Sequence, residues 1–565
     1  MLNMKRFISI LLVLTLTGLV SEQIINACTN FLITKGASKD GSVMITYSAD
    51  SHVLYGELYY WPSKDWPAGA RVDIYEWDTG KFLGSIPQKS HTYSVVGNMN
   101  QHQLSIGETT FGGRPELADS TGVVDYGSLI YLTLQRAKNA REAIVSFSQL
   151  LTDHGYASSG ESFSIADANE AWILELVGKG QGKKGAVWVA RRIPDGFISG
   201  HANHPRITTF PLADGKKSIT SKQLDKIYNP DVETVYAYDV IDVARGYKWF
   251  TGADKDFSFS DIYAPLDFAG ARFCEARVWS GFNLVNNQMG NYLDYAMGEN
   301  LKNRMPLWIK PDKKIGPEDV MSMMRNYYQG TPMDMTQDVG AGPYGSTVRW
   351  RPMEWMVDSV KYIHERAIST QQTGFSFVAQ SRSWLPDPIG GIFWFGVDDT
   401  YYTVYSPMYC GITKVPESYA VGNGDIMTYS ENAGFWVFNE VTNFAYSRTN
   451  MLIGDLQAKQ SELENKYFDE TVAVDKTAAE LFRKSPSEAI KYLTDYSVKT
   501  GNSTVSQWKD LYRFLFAKYV DGNVKEKQPV PAGYKYMVPK VTQPGYGDAW
   551  NRVIVKNTGD KFKER

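Results

Sequence analysis

The chain has 565 residues, of which 43% are hydrophobic and 13% aromatic, with a formal net charge of −3. This length allows a large core or more than one domain, and the nearly balanced charge argues against a nucleic-acid-binding protein. The three cysteines form no CxxC pair and no HExxH motif occurs, so we predict no metal and no diffusible cofactor. Apolar or aromatic residues flank Cys274 and Cys410, which favours two buried free thiols over a disulfide.

The first 27 residues have the pattern of a signal peptide. Lys5 and Arg6 precede an apolar run over residues 7–20, and Ala27 stands directly before Cys28. The run is shorter than the ~20 residues of a membrane span, and Ala at the −1 position suits a signal peptidase. We therefore predict export to the periplasm or the extracellular space, no membrane association after cleavage, and Cys28 as the first residue of the mature chain.

An N-terminal cysteine carries a thiol and a free amine on one residue. The ordinary pKa is about 8.5 for the thiol and about 7.7–8.0 for the α-amine, so much of the amine is neutral at mildly alkaline pH. A neutral amine takes the thiol proton directly or through one water, which makes a nucleophile–base pair for covalent catalysis. Two alternatives stay open: Cys28 is merely the residue after the cut, or it is a lipid attachment site.

The hydrophobic patterns predict a mixture of strands and helices. The predicted strands are residues 29–34, 43–48, 163–166, 172–177, 392–397, 401–405 and 435–438. The predicted helices are residues 128–138, 139–155, 317–328 and 508–519, with a capping box that starts another helix at Ser485. Helices dominate from about residue 450, and the stretch after residue 525 is rich in Lys, Pro and Gly and is predicted to be irregular.

Several segments in order along the chain carry a family resemblance. They are Cys28-Thr29-Asn30-Phe31-Leu32-Ile33, Asp50-Ser51, Gly97-Asn98-Met99-Asn100, Glu108-Thr109, Ala202-Asn203-His204-Pro205 and Tyr328-Gln329-Gly330-Thr331-Pro332-Met333-Asp334. Together they resemble the dipeptidase A family of cysteine peptidases, within the N-terminal-nucleophile (Ntn) hydrolases. The resemblance implies an α+β fold, the four-layer αββα Ntn-hydrolase sandwich. It divides the chain into a signal peptide (1–27), a catalytic domain (28–450), a helical extension (451–525) and an irregular tail (526–565).

The resemblance also implies roles for four residues. Cys28 matches the nucleophile, and its own amine matches the general base. Asp50 matches an acidic residue that holds the amine, and Asn203 matches an amide that either donates to the oxyanion or fixes the amine. Arg272 resembles an arginine that lowers the pKa of the thiol through its positive charge.

The chain departs from the family at one position. Tyr47 stands where many relatives have an arginine, three residues before the acid, and a phenol carries no permanent positive charge. Thr109, or a backbone N–H near it, is predicted as the second oxyanion donor. A dipeptide also needs a partner for its free ammonium, and the candidates are the carboxyl groups of Glu108 and Asp125.

The sequence and the resemblance together predict an exported dipeptidase that acts on small peptides. An N-acyl amide hydrolase of the same superfamily, acting on bile-acid conjugates or penicillin V, is the alternative enzyme. A lipid-anchored surface binding protein is the alternative outside enzymes. A homo-oligomer is compatible with all three.

Overall fold

The structure, a computed structural model, describes residues 28–565, so the predicted signal peptide lies outside the described residues. The strands, numbered along the chain, are β1 Asn30–Ile33, β2 Val43–Asp50, β3 Tyr60–Trp61, β4 Lys64–Asp65, β5 Arg71–Tyr75, β6 Phe82–Pro87, β7 His91–Thr92, β8 Val95–Val96, β9 Met99–Asn100, β10 Ser105–Gly112, β11 Gly160–Ala166, β12 Ala171–Gly178, β13 Ala186–Arg192, β14 Ile198–His201, β15 Ser218–Thr220, β16 Thr234–Tyr236, β17 Trp308–Ile309, β18 Glu354–Val357, β19 Val360–Ile363, β20 Thr373–Ser381, β21 Gly391–Val397, β22 Ser406–Tyr409, β23 Val524–Glu526 and β24 Lys540–Thr542.

The helices are spread through the second half of the chain more densely than the first. They are α1 Tyr126–Leu134, α2 Ala140–His154, α3 Val240–Gly246, α4 Phe259–Tyr263, α5 Phe268–Gly270, α6 Ala276–Asn283, α7 Leu293–Ala296, α8 Pro317–Met324, α9 Asp387–Gly390, α10 Gly434–Tyr446, α11 Thr449–Lys484, α12 Pro486–Tyr519 and α13 Asp548–Thr558. No helix within residues 28–565 combines the length and the apolar character needed to cross a bilayer. Strands and helices alternate irregularly, and the predicted α+β class is confirmed.

Two large sheets organise the fold. One has seven antiparallel strands in the order β17-β14-β1-β2-β20-β21-β22. The other has nine strands in the order β15-β16-β13-β12-β11-β10-β9-β8-β3, antiparallel except for the β15–β16 pair. The remaining strands form the two-stranded ribbons β4–β7, β5–β6, β18–β19 and β23–β24.

The two sheets pack face to face, with β2 against β10, β11 and β12. Gly107 permits the close approach, because a Cβ there would lie 2.9 Å from Asn30 Nδ2 of the opposite sheet. His201 bridges the sheets, with its Nδ1 2.7 Å from Thr109 Oγ1 and its Nε2 2.8 Å from Ser164 Oγ. Burial lowers the pKa of His201 to about 3, so this bridge is a neutral hydrogen-bonded link.

Helices cover both outer faces. α1 and α2 pack on the nine-stranded sheet, and α8, α10, α11 and α12 pack on the seven-stranded sheet. α6 lies over β1, where a Cβ on Gly281 would come within 2.1 Å of the Phe31 ring. Glycine at that position therefore lets α6 approach the start of β1, directly after Cys28.

The predicted helical extension, 451–525, is integrated into this outer layer. Trp508 of α12 is fully buried and stacks on Phe438 of α10 with ring centroids 4.9 Å apart. Glu464 of α11 accepts a hydrogen bond from the Tyr405 backbone at 2.9 Å, just before β22. The helices thus complete the layer on β22, since an amphipathic helix needs an apolar surface to bury its own. The stretch 526–565, predicted to be irregular, contains β24 and α13.

Most predicted strands and helices coincide with observed ones, and two of the predicted strands differ. Residues 435–438, predicted as a strand, lie in α10, whose buried positions Val437, Val441 and Ala445 recur every four residues. The spacing of hydrophobic residues in a run of four cannot distinguish a strand from a helix, and the helical spacing becomes clear only when the following residues are included. Residues 401–405 form a turn that precedes β22. By contrast, α2 runs between an Asn139 cap and Gly155, as the capping pattern predicted.

Candidate active site

A cavity of about 360 Å³ opens beside Cys28, where the described chain begins. Its lining includes Cys28, Tyr47, Asp50, Glu57, Asp78, Glu108 and Tyr126. Aromatic rings of Tyr59, Trp77 and Tyr131 complete one side. Among the described residues the lining contains four carboxyl groups and no Lys, Arg or His, so the cavity suits a cationic group more than an anionic one.

The nitrogen of Cys28 is held by Asn203. It donates to Asn203 Oδ1 at 2.8 Å, and Asn203 Nδ2 in turn donates to the Thr110 carbonyl at 2.6 Å. Asn203 has a φ of 58°, a left-handed conformation that asparagine tolerates better than most residues. Of the two predicted roles for Asn203, the structure shows the contact with the nitrogen.

Arg277 fixes the same corner from the other side. Its guanidinium donates to the Cys28 carbonyl at 2.7 Å, to Thr29 Oγ1 at 2.9 Å and to Asn203 Oδ1 at 2.8 Å. The side chain is fully buried on α6. Five fixed donors on a planar group let an arginine donate to several acceptors at once, which a lysine cannot reproduce.

Arg272 does not reach the thiol, and the prediction for it is corrected. Its guanidinium pairs with Glu365 and donates to the Met297 carbonyl at 3.4 Å. Arg272 lies in a π-helical turn, Ala271–Glu275, and Arg277 follows directly after it in α6. The two arginines are five positions apart and have different partners, and it is Arg277 that contacts Cys28.

Asp50 ends β2 at the cavity wall. Its Oδ1 accepts from Thr373 Oγ1 at 2.7 Å, and its Oδ2 lies 3.5 Å from Arg366 Nη2. Burial raises the pKa of Asp50 to about 7, and this outweighs the lowering by the charges of Arg366 and Arg277. The Asp50 backbone lowers the pKa of the Cys28 thiol, but by less than burial raises it.

The thiol itself faces polar neighbours. Cys28 Sγ lies 3.7 Å from Tyr47 OH and 3.7 Å from Glu108 Oε1, and the tyrosine donates a short hydrogen bond to that carboxylate. Burial, followed by the charges of Glu108 and Asp50, raises the pKa of Cys28 well above its ordinary value. The thiol is therefore neutral in this environment, in contrast to the predicted lowering of its pKa by an arginine.

Of the other residues predicted to contact the substrate, only Glu108 lines the cavity. Glu108 lines the cavity, whereas the neighbouring Thr109 is directed to His201 between the sheets. Asp125 caps α1 by accepting from Ser128 N at 3.1 Å, and it also accepts from the Trp77 backbone at 2.7 Å. Successive residues of a strand point to opposite faces, which is why only one member of the Glu108-Thr109 pair reaches the cavity.

No cluster of three or more metal-ligating side chains occurs among residues 28–565, and Cys274 and Cys410 are free thiols there. Cys28 thus places a buried thiol at a cavity wall, with the nitrogen of the same residue held by Asn203. A positioned thiol of this kind is compatible with nucleophilic catalysis.

Comparison with known families agrees with this chemistry. The chain belongs to peptidase family C69, whose model matches residues 62–462, and it is therefore a peptidase of the cysteine type. The match includes Glu108, Asn203 and Arg277.

Curated relatives match over most of their length at low identity. The probable dipeptidase B of Streptococcus pyogenes serotype M1 is 22% identical over 94% of this chain and 99% of its own. The probable dipeptidase B of Lactococcus lactis subsp. lactis is 23% identical over 76% of this chain and 81% of its own. The probable dipeptidase A of S. pyogenes serotype M3 (strain SSI-1) is 24% identical over 79% and 87%.

Buried carboxyl groups lead to a prediction about stability and pH. Burial raises the pKa of Asp50, Glu175 and Asp398 to about 7. In the unfolded chain an aspartate or glutamate titrates near ~4. The native state therefore holds more protons between these values, and the stabilisation present below about pH 4 is lost as the pH rises to about 7. We expect a melting temperature several degrees lower at pH 8 than at pH 5.

Asp398 provides the test of that cause. Its φ is 69°, a conformation that asparagine also adopts, so Asp398→Asn removes the charge with little backbone strain. Calorimetry should show a smaller difference between pH 5 and pH 8 in this variant. An unchanged difference would exclude Asp398 as a source of the pH dependence.

Proposed function

We propose that the protein is an exported dipeptidase whose nucleophile is Cys28 and whose general base is the α-amine of the same residue. One observation carries this proposal: the nitrogen of Cys28 is held at 2.8 Å by Asn203 while its sulfur faces the carboxyl groups of the cavity. In the described chain this nitrogen belongs to the peptide bond with Ala27. Cleavage after residue 27 converts it into an amine in the same position.

The neighbours of Cys28 support a reaction in which the thiol starts neutral. The amine takes the thiol proton, and the sulfur attacks the scissile carbonyl. The amine then gives the proton to the departing amino acid, and water hydrolyses the thioester. Arg277 and Asn203 act as positioning residues, because they hold the carbonyl and the nitrogen of Cys28. Proximity of a correctly oriented base reduces the barrier substantially.

The fold supports the same assignment. Two packed sheets with helices on both outer faces, and a nucleophile at the start of a strand of one sheet, agree with an αββα sandwich of the Ntn hydrolases. The signal-peptide pattern of residues 1–27 supports export. Cleavage by a signal peptidase would also free the amine of Cys28.

The acidic lining supports a peptide with a free amino terminus over an N-acylated substrate. Glu108 Oε1 lies 3.7 Å from the sulfur, so an ammonium bound at Glu108 places the first peptide carbonyl next to the nucleophile. We propose Glu108 as a contact of the ammonium. A substrate acylated on that nitrogen loses the charge which a buried carboxylate attracts most strongly.

The test compares dipeptides with their N-acetylated forms, using protein that begins at Cys28. We expect kcat/KM to fall at least about 100-fold on acetylation, because a charge-assisted contact worth ~1.5–3 kcal/mol is lost and a bulky group enters the pocket. Hydrolysis is followed by release of the free amino acid. Faster hydrolysis of the acetylated form would instead identify an N-acyl amide hydrolase, and no hydrolysis of either would favour a binding protein.

A further inference from the structure

Two neighbouring buried carboxyl groups, of which Glu108 lines the cavity, each have one oxygen without a hydrogen-bond donor. Glu108 Oε2 and Glu161 Oε2 are buried and have no hydrogen-bond partner among residues 28–565. Both side chains are at most 1% exposed. Buried polar atoms are nearly always paired, so two such oxygens in one place call for a physical explanation.

The sheet register explains how they meet. Glu161 of β11 lies directly opposite Thr110 of β10, and Thr110 Oγ1 donates to Glu161 Oε1 at 2.8 Å. Glu108 precedes Thr110 by two residues and so lies on the same face, diagonal to Glu161. Burial and the neighbouring negative charge raise the pKa of Glu161 well above its ordinary value, and burial raises the pKa of Glu108 to about 7.

Two adjacent buried carboxyl groups cannot both ionise, so the pair holds one proton between them. That proton lets one carboxyl group donate to the other and accounts for both unpaired oxygens. The pair then carries a single negative charge. Tyr47 OH donates to Glu108 Oε1, which favours the charge on Glu108, the member that lines the cavity.

Another carboxyl group lines the same cavity. Asp78 lies in the connection between β5 and β6 and is exposed to solvent. Its Oδ1 accepts a hydrogen bond from Tyr126 OH at 2.8 Å. Asp78 and Glu108 thus present carboxylate oxygens from two different elements to one space, with the Cys28 sulfur 3.7 Å from Glu108.

We propose that Asp78 and Glu108 together bind the α-ammonium of the substrate, and that Glu161 is a positioning residue that keeps the Glu108 pair singly charged. This inference rests on the proposed function for its substrate class, and it adds two residues that the sequence did not indicate. Because the α-ammonium and the first carbonyl are separated by one carbon, binding at Glu108 sets cleavage at the first peptide bond. The bound ammonium thereby determines which peptide bond lies next to the Cys28 sulfur.

The experiment measures dipeptide binding by calorimetry in a Cys28→Ala background, so it does not depend on turnover. Asp78→Asn and Glu108→Gln should each weaken binding of a free dipeptide by about 10- to 100-fold, the effect of losing a charge-assisted contact. Binding of the N-acetylated dipeptide should change less than about threefold. Glu57→Gln is the matched control, since Glu57 lines the same cavity but accepts from the Gly422 backbone at 2.9 Å.

Two variants of Glu161 test its role. Glu161→Leu removes the proton-sharing partner and should weaken binding of the free dipeptide about tenfold, whereas Glu161→Gln still donates to Glu108 and should restore it. If Glu161→Gln is as weak as Glu108→Gln, Glu161 binds as an ionised carboxylate and the shared proton is excluded. If Asp78→Asn and Glu108→Gln bind the free dipeptide normally, the ammonium site lies elsewhere.

Melting temperatures of all variants identify any that fail to fold. Hydrolysis by the parent protein is measured in parallel. A parent that hydrolyses dipeptides while these variants bind normally overturns the ammonium site alone. If the protein with Cys28 binds dipeptides but does not hydrolyse them, the proposed function is wrong, and the binding data on the variants still test the ammonium site.

Discussion

Cys28→Ala should abolish peptide hydrolysis, lowering kcat/KM by at least about 10⁴-fold, which is the scale seen when a nucleophile that acts with its base is removed. The sulfur is the group that lines the cavity 3.7 Å from both Tyr47 and Glu108. The substitution keeps the backbone nitrogen and carbonyl that Asn203 and Arg277 hold. Activity on a dipeptide panel, measured with protein beginning at residue 28, checks this expectation.

One control tests whether the effect is specific to the Cys28 thiol, and a second tests the role of its amine. Cys410→Ala removes a buried thiol that donates to the Asp387 carbonyl at 3.0 Å, and it should leave activity per folded molecule within about threefold. Protein beginning at Ala27 retains the Cys28 thiol but holds its nitrogen in a peptide bond. It should be as inactive as Cys28→Ala if the amine is the base. Full activity of this longer form would show that another group takes the proton.

Arg277→Ala should cost both activity and stability. The guanidinium donates to the Cys28 carbonyl, Thr29 Oγ1 and Asn203 Oδ1, and its removal deprives these buried acceptors of a charged donor. Hydrogen bonds to a charged group contribute ~1.5–3 kcal/mol, so the free energy of unfolding should fall by about 3 kcal/mol or more. We expect kcat to fall at least about 100-fold, because a misplaced nucleophile loses its near-attack geometry.

Arg272→Ala is the matched control for Arg277. Arg272 lies in the same helical region but pairs with Glu365, and its loss should change kcat/KM by less than about threefold. Arg277→Lys should not restore activity, since a lysine cannot donate to three separated acceptors in a fixed plane. Denaturant unfolding and kinetics on the same preparations provide the comparison. Equal effects of Arg272→Ala and Arg277→Ala would contradict the assignment of Arg277.

Local chemistry was largely readable from the sequence. The hairpin of β1 and β2, the Asn139 cap of α2 and the Ser485 cap of α12 follow from turn and capping residues close to them in the chain. Cys28 and Asp50 line one cavity and Asn203 contacts the nitrogen of Cys28, while the catalytic roles that the family resemblance implies for them stay predictions. These features depend on short segments or on recognisable motifs, so they can be predicted without knowledge of the tertiary packing.

Pairings between distant segments were not readable in this way. Arg272 and Arg277 both follow an alanine in the same stretch, and only the folded structure shows that Arg277 contacts Cys28 while Arg272 pairs with Glu365. Glu161 lies 53 positions after Glu108 (161 − 108), and only the register of β10 and β11 makes them neighbours.

The sequence by itself therefore determined the mixed fold class, and it predicts that a signal peptidase places Cys28 at the amino terminus. It also determined the capped starts of α2 and α12. The tertiary structure decided which arginine hydrogen-bonds Cys28 and which carboxyl groups line the cavity. It also decided that Thr109 hydrogen-bonds His201 between the sheets. The reason is physical: strand register and helix rotation select one side chain among chemically equal neighbours, and both are set by packing across the whole core.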